Sequence, residues 1–357
     1  MLSKLTQHQK AFLLLFAFLV FAEICGFLGY PLLHPHDLIG MGAIGIGIGN
    51  LSPSQARIID PIVTEVVQGY QYPQLVGSAL FPEVPVSTRG GQIVSFDKTA
   101  FMKFNLRRAP GAGTKRIEFG YAGLPYALLE DSVEGKVPFE IMQDAERVPG
   151  INLAAQYLKT TMQVVKKSLE SDQAALALNA ALYPANNTVV LSGTSKWSNA
   201  AGTPTADILD YREAIRTAIG MYPNTLLLSA SAFKAARENP NVVARFQYTS
   251  HDSITAEMLA NLWEVDKIVI GTDVYYDETT GAMVDVWGNN AVLAYVPPAP
   301  SSQQEPSFGY TYRMVGAPYA EEPYQDRNAK SWIYPVTYER APVVTSIDSA
   351  FLIQTPA

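Results

Sequence analysis

The sequence predicts an α+β fold, and three observations carry that expectation. Residues 152–183 read as one long helix, stopped by Pro149-Gly150 before it and by Pro184 after it. Residues 207–296 alternate helix-like stretches with short apolar strands, as a compact α/β unit does. On either side, residues 86–137, with seven glycines, and residues 308–357, with six tyrosines, read as extended chain.

The first fifty residues differ in character from the rest. Ala11 to Ala22 form the uncharged run AFLLLFAFLVFA behind Lys4 and Lys10. Three readings stay open: a secretory signal, a membrane segment over Ala11–Leu33, or a translation start at Met41 that removes the leader. Glu23 and Pro31 interrupt the membrane reading, and no small-residue cleavage site supports the signal. Gly40, Gly42 and Gly45 satisfy G-x-G-x-x-G, but PLLHPHD precedes them and Pro53 follows. A dinucleotide fingerprint needs a strand before it and a helix after it, so this one is discounted.

Composition narrows the function. Residues 51–357 contain no cysteine and a single histidine, His251. The groups most used for nucleophilic, metal and proton-shuttle chemistry are therefore nearly absent. The chain is 48% hydrophobic and only 17% charged, so its surface is short of charge and suits coverage by a partner. A net charge of −7 disfavours a protein that coats nucleic-acid phosphates. With Cys25 alone, no intrachain disulfide can form.

Asp60-Pro61 reads as an N-cap and first helical position, and residues 75–86 read as a proline-punctuated extended arm. Residues 86–137 hold seven glycines, with strand-like stretches at Gln92–Phe96, Arg116–Tyr121 and Tyr126–Leu129. Lys98, Lys103, Arg107, Arg108, Lys115 and Arg116 fall in a stretch with no acidic residue. A lone two-stranded excursion buries too little to stand by itself, so it is expected to lie on something. In the long helix, Leu153, Tyr157, Val164, Leu169 and Leu176 supply apolar positions, while Lys159, Lys166, Lys167 and Glu170 supply polar faces. Thirty residues of helix span roughly 45 Å, a rod rather than a packing element.

Within 207–296, TLLLS (225–229) reads as an apolar strand and KIVIG (267–271) as a second strand, among the helix candidates DILDYREAIRTAIG, ASAFKAAREN and SITAEMLANLW. MVDVWG and AVLAYV read as strands paired around Gly288-Asn289-Asn290. Phe308, Tyr310 and Tyr312 alternate as a half-buried strand requires, and the C-terminal segment reads as extended chain returning to the body.

A search for chemistry returns little. One histidine and no G-x-S-x-G elbow leave no Ser–His–acid set, and no His/Cys pair offers a metal site. Gly111 to Lys115 has the wrong order for a phosphate loop. The acidic groups Glu130, Asp131 and Glu134, and Glu321 with Glu322, read as solvated surface. No catalytic residue, cofactor, metal or small-molecule substrate is expected.

Several runs carry a resemblance. IDPIVTEVVQGYQYPQLVGSALFPEVPVSTRGGQIVSFDKTAF, RRAPGAGTKRIEFGY, NPNVVARFQYT, VDVWGNNAVLAYVP and NAKSWIYPVTYERAPV, in that order, resemble tailed-bacteriophage major capsid proteins from about Arg57 to the C-terminus. The resemblance implies the Hong Kong 97-like fold. Its parts would be an N-terminal arm at 51–85, an extended loop at 86–137, and the spine helix with the peripheral domain at 138–206. An axial domain at 207–325 and a C-terminal return to the peripheral domain at 326–357 would complete it. It also implies self-assembly through pentamers and hexamers into an icosahedral virion shell around double-stranded DNA, held non-specifically. Assembly in the host cytoplasm, with a scaffolding protein, a protease and a portal as further partners, belongs to the same expectation. The six loop cations would lie on an adjacent subunit, against Glu140, Asp144 and Glu146. Where relatives join a loop lysine to a neighbour's asparagine, Lys98, Lys103 and Lys115 would be the available lysines.

Three rivals follow from the same residues. A cellular nanocompartment shell shares that fold but encloses enzymes, and a membrane-anchored binding protein would use the leader as its anchor. An enzyme would need acidic groups clustered in a deep pocket.

Overall fold

The computed structural model describes residues 75–95, 107, 122–146, 153–246, 254–298 and 307–357. The leader, Asp60-Pro61, the Gly111–Lys115 segment and His251 lie outside the described residues. Two sheets and one long helix organise what is described.

The first sheet is built on a fourteen-residue strand. Strands β1 (Glu83–Val86), β2 (Gly90–Ser95), β3 (Ala122–Ala127) and β4 (Leu129–Pro138) come first in the chain. Helices α1 (Phe139–Glu146) and α2 (Leu153–Ala177) follow. Much later come β11 (Gly309–Met314), β12 (Tyr319–Ala320), β13 (Tyr324–Asp326) and β14 (Ser331–Val344). One edge of β14 pairs with β4 over Ser331–Arg340; the other takes β13, β12 and β11 in turn, all antiparallel. β1 adds to β11 in parallel. The ribbon β2–β3 stands apart as its own two-stranded sheet.

The second sheet draws on β5 (Thr188–Val190), β6 (Thr225–Ser229), β7 (Lys267–Gly271), β10 (Asn290–Ala294) and β15 (Ala350–Gln354), in the order β5-β15-β10-β6-β7. Its helices are α3 (Pro204–Ile219), α4 (Ala230–Glu238), α5 (Pro240–Phe246) and α6 (Ala256–Trp263). α3 shows why these helices start and stop where they do. Pro204 occupies the first turn, Asp207 offsets the N-terminal partial charge, and Gly220 at φ 76° closes the end in the left-handed region. Ser229 caps α4 by accepting the Ala232 N–H, and Thr255 does the same for α6 with Met258. A second ribbon, β8 (Val274–Asp277) with β9 (Ala282–Asp285), lies beside this sheet without joining it.

Burial follows strand alternation. Leu226 and Leu228 face α3, α4, α5 and α6 together with Leu293, Phe351, Trp197 and Trp263. Leu227, Val292 and Leu352 face the other way, onto Ala174 and Ala177 of α2, Leu80, Phe81 and Trp287. Farther up α2, Leu158, Met162, Val165 and Leu169 pack on Tyr334, Val336 and Tyr338 of β14. One helix therefore serves both sheets.

The structure corrects several expectations. Residues 309–320, placed with the 207–325 unit, belong to the β14 sheet, because β14 has a free edge there. Residues 350–354, placed in the 326–357 return, close the other sheet between β5 and β10. Residues 129–138 are no part of a loop at 86–137, since β4 pairs along ten residues of β14. The strands at 282–285 and 290–294 do not pair with each other: β10 already has β15 and β6 on its two edges, so β9 pairs with β8. The 308–312 strand is buried on both faces, with Thr311 as enclosed as Tyr310 and Tyr312. The long helix ends at Ala177, about 37 Å from its start. Its inward stripe includes Leu158, Met162 and Val165, while Val164 points outward. Glu170, assigned to a polar face, is buried.

Candidate assembly interface

Polar residues on the buried side of α2 tie the framework together. Glu170 is 2% exposed. Its Oε1 accepts the Val76 N–H at 3.0 Å and Trp287 Nε1–H at 2.7 Å, and its Oε2 accepts the Gly77 N–H at 2.8 Å. Burial pushes this carboxyl above its ordinary range, and Asp273 adds to the shift, while the three N–H donors act against it. One turn on, Gln173 Nε2 donates to Thr311 Oγ1, which in turn donates to the Phe81 carbonyl. A Cβ at Gly77 would overlap Gln173 Oε1 and lie 2.8 Å from Glu170 Oε2, so a side chain there would push both groups off their hydrogen bonds. Chain entering from the N-terminal side is thus clamped to α2 at residues 76–81. Arg340 of β14, also buried, bonds Asp131 and Ser168 and lies 3.3 Å from Asp172.

Both ribbons are rooted in this framework. At the base of β2–β3, Arg89 presents a fork to buried Glu339, Nε to Oε2 at 2.9 Å and Nη2 to Oε1 at 2.7 Å. Tyr319 donates to the same carboxylate at 3.2 Å, and the Tyr126 ring stacks on Tyr312 at 5.1 Å. At the base of β8–β9, Lys167 of α2 donates to the Val274 carbonyl at 3.1 Å and meets buried Asp273 at 2.9 Å. Trp287, just past β9, is buried against Gly271, where a Cβ would overlap its ring.

Beyond its root, β8–β9 is open. Tyr276 and Met283 sit directly opposite each other, 60% and 66% exposed, and Tyr275 is exposed on the other face. Asp277 accepts the Thr279 N–H and the Thr280 hydroxyl at the turn, which holds its carboxyl below the ordinary range. On α1, Glu140 and Asp144 are exposed one turn apart, with Ile141 exposed between them.

Comparison with known proteins decides what these surfaces belong to. A family described as phage major capsid protein E matches residues 182–324. The major capsid protein of Burkholderia phage BcepMu is 32% identical over 304 residues, covering 84% of this chain and 97% of that protein. This chain belongs to the phage major capsid protein family. A crystal structure of a phage-related protein from Bordetella bronchiseptica is 44% identical with a TM-score of 0.73, covering 85% of this chain and 98% of that one. The capsid structure of cyanophage P-SCSP1u shares the fold at a TM-score of 0.50 and 12% identity, over 77% of this chain and 86% of that one. The architecture is the α+β, Hong Kong 97-like capsid fold.

For a capsid protein the functional site is the surface one copy offers another. Of the residues expected there, Arg107 is exposed, and Lys98, Lys103, Arg108, Lys115 and Arg116 lie outside the described residues. Glu140 and Asp144 share a face of α1; Glu146 ends that helix. The acidic groups on β4 have local partners: Asp131 meets Arg340, Glu130 lies 3.5 Å from Arg89, and Glu134 accepts from Tyr324. Among the described residues no group of three or more His, Cys, Asp or Glu is placed to hold a metal, and no helix is long and apolar enough to cross a membrane.

Sequence reasoning passed over Arg89, Asp273 and Glu339, and placed Lys167 and Glu170 only on a polar helix face; together these fix the two roots. Glu170 and Gln173 did leave a signal, as polar residues that interrupt the inward stripe Leu169, Ala174, Ala177. The exposed pair Tyr276 and Met283 left none, because pairing across a turn is not visible in a run of residues.

Proposed function

We propose that this capsid protein assembles through pentamers and hexamers into an icosahedral virion shell that encloses double-stranded DNA. The observation that carries this is the match to a phage major capsid protein along nearly the whole of that relative's length. The five-stranded sheet with α3–α6 would be the axial domain, meeting its copies around five-fold and six-fold axes. The β14 sheet with α2 would be the peripheral domain, and β2–β3 with residues 96–121 the extended loop. The negative net charge suits a container that holds packed DNA without gripping it.

In this reading the six loop cations, Lys98 to Arg116, lie against acid on a neighbouring copy, and Glu140, Asp144 and Glu146 of α1 supply one such row. A scaffolding protein, a protease and a portal act with the shell during assembly in the host cytoplasm. The role is structural, with no catalytic step and no small-molecule substrate.

Negative-stain electron microscopy of the high-speed pellet, from cells expressing the chain from Met41, tests the reading. Closed shells tens of nanometres across are expected. Only small uniform particles, even with the phage's neighbouring morphogenesis genes co-expressed, would sink it. Double-stranded DNA in particles purified from phage lysates is the further expectation; particles filled with enzyme would point to a nanocompartment instead.

A further inference from the structure

The β8–β9 ribbon joins neither of the two large sheets. Two strands of four residues bury too little to support themselves, and both faces of this ribbon carry exposed aromatic or thioether groups. Its root is nonetheless fixed, through Lys167 to Asp273 and the Val274 carbonyl, and through the Val286 N–H to the Asp273 carbonyl at 3.0 Å. A stiff root beneath an uncovered apolar tip describes a surface that waits for a partner.

Charge narrows the choice of partner. From Asp273 to Asp285 the chain carries Asp273, Asp277, Glu278 and Asp285 and no cation. Asp273 is used internally by Lys167, but Glu278 and Asp285 are exposed, and the turn hydrogen bonds favour the ionised form of Asp277. A second ribbon is therefore repelled. What fits is a segment that is cationic and apolar together. The stretch 98–116 is that segment, with six cations, no acid, and Phe101, Met102, Phe104 and Leu106 interleaved. It belongs to residues 96–121, between the end of β2 and the start of β3. A chain of that length folded back on itself reaches at most about 45 Å from its stem, enough to cross to another subunit.

We propose that the β8–β9 ribbon of one copy is the seat for residues 96–121 of a neighbouring copy. The proposal rests on the shell-forming reading. Each copy gives one segment and receives one, a heterologous contact that closes into rings. The α1 row offers charge too, but only Ile141 among exposed large apolar groups, so the ribbon is the fuller match.

Disulfide trapping in assembled shells tests it. In a Cys25→Ser background, Lys98→Cys, Lys103→Cys or Arg108→Cys is combined with Glu278→Cys, and in a parallel set with Asp144→Cys. After mild oxidation, the Glu278 set is expected to give a ladder of covalent oligomers on non-reducing gels. Shells that form but ladder only in the Asp144 set, or in neither, overturn the proposal. A faster-running covalent monomer overturns it as well, since the segment would then lie on its own copy. If the background protein forms no shells even with the neighbouring morphogenesis genes co-expressed, the assembly reading itself has failed, which the gel pattern cannot imitate.

Discussion

The β2–β3 and β8–β9 ribbons are rooted by the same device, a buried carboxylate paired with a cation about one-third exposed, yet the two carboxylates are served differently. Glu339 receives the two-pronged Arg89 fork and the Tyr319 hydroxyl. Asp273 has one lysine on Oδ1, and its Oδ2 has no hydrogen-bond partner. An arginine fork matches both carboxylate oxygens, whereas an ammonium is a point charge that serves one at a time. The root beneath the cationic segment is therefore held by a two-pronged fork, and the root beneath the acidic ribbon by the one-pronged Lys167 pair, hydrogen bonds to the backbone at Val274 and Val286, and the packing of Trp287. Removing parts of each root should expose that difference.

The largest effect is expected at Trp287. Trp287→Ala opens a cavity beside Gly271 and leaves Glu170 without its indole donor, at a cost of about 3–5 kcal/mol. Urea unfolding of the unassembled subunit would register it as a lower midpoint; an unchanged midpoint would mean the β8–β9 root is not packed as described. Next comes a contrast between cations. Lys167→Met strands a nearly enclosed carboxylate and should cost about 3 kcal/mol. Arg89→Met leaves Glu339 its Tyr319 donor, so a smaller loss of about 1–2 kcal/mol is expected. Equal losses in the two variants would remove the distinction between the roots.

That distinction could not be read from the sequence, and the reason is physical. Helices and apolar strands declare themselves locally: TLLLS and KIVIG are β6 and β7 at the residues expected, and the Pro149-Gly150 and Pro184 signals bracket α2. Strand partners do not, because they depend on which edges are already taken. β10 had no edge left for β9, and β14 had one to offer to 309–326. The root pairs join residues far apart in the chain, Arg89 with Glu339 and Lys167 with Asp273, so neither member looks unusual in its own neighbourhood. Glu140 and Asp144, by contrast, stand four residues apart on one helix, so their shared face follows from local spacing alone. The exposed face of Tyr276 and Met283 emerges only once the turn at Asp277 sets the register.

A smaller and pH-dependent effect is expected at Glu170, which touches both the N-terminal clamp and the Trp287 side. Its carboxyl is raised in the folded subunit above the ordinary value of 4.5, chiefly by burial. The folded state therefore holds the proton more tightly than the unfolded chain does. Its contribution is fully present below pH 4.5 and is lost as pH rises toward the folded value. Glu170→Gln keeps one acceptor and loses the other, costing about 1 kcal/mol at the acid end. The gap in melting temperature between wild type and Glu170→Gln should therefore be widest below pH 4.5 and narrow as the pH is raised. A gap that widens with pH would mean the three N–H donors outweigh burial and the carboxylate is the stabilised form.

The smallest effect on the subunit should come from the tip of the same ribbon. Met283 lies opposite Tyr276 with most of its surface in solvent, so Met283→Ser removes little buried area and leaves every hydrogen bond of the root intact. Its cost to the isolated subunit should stay within about 0.5 kcal/mol, the range of ordinary surface changes. Thermal melting of the unassembled protein measures this directly. If the loss instead approaches that of Trp287→Ala, the tip is packed inside the subunit and is not available to a neighbour. If the subunit is untouched while shell yield falls, then ribbon root and ribbon tip serve different masters, the first the fold of one chain and the second its contact with the next.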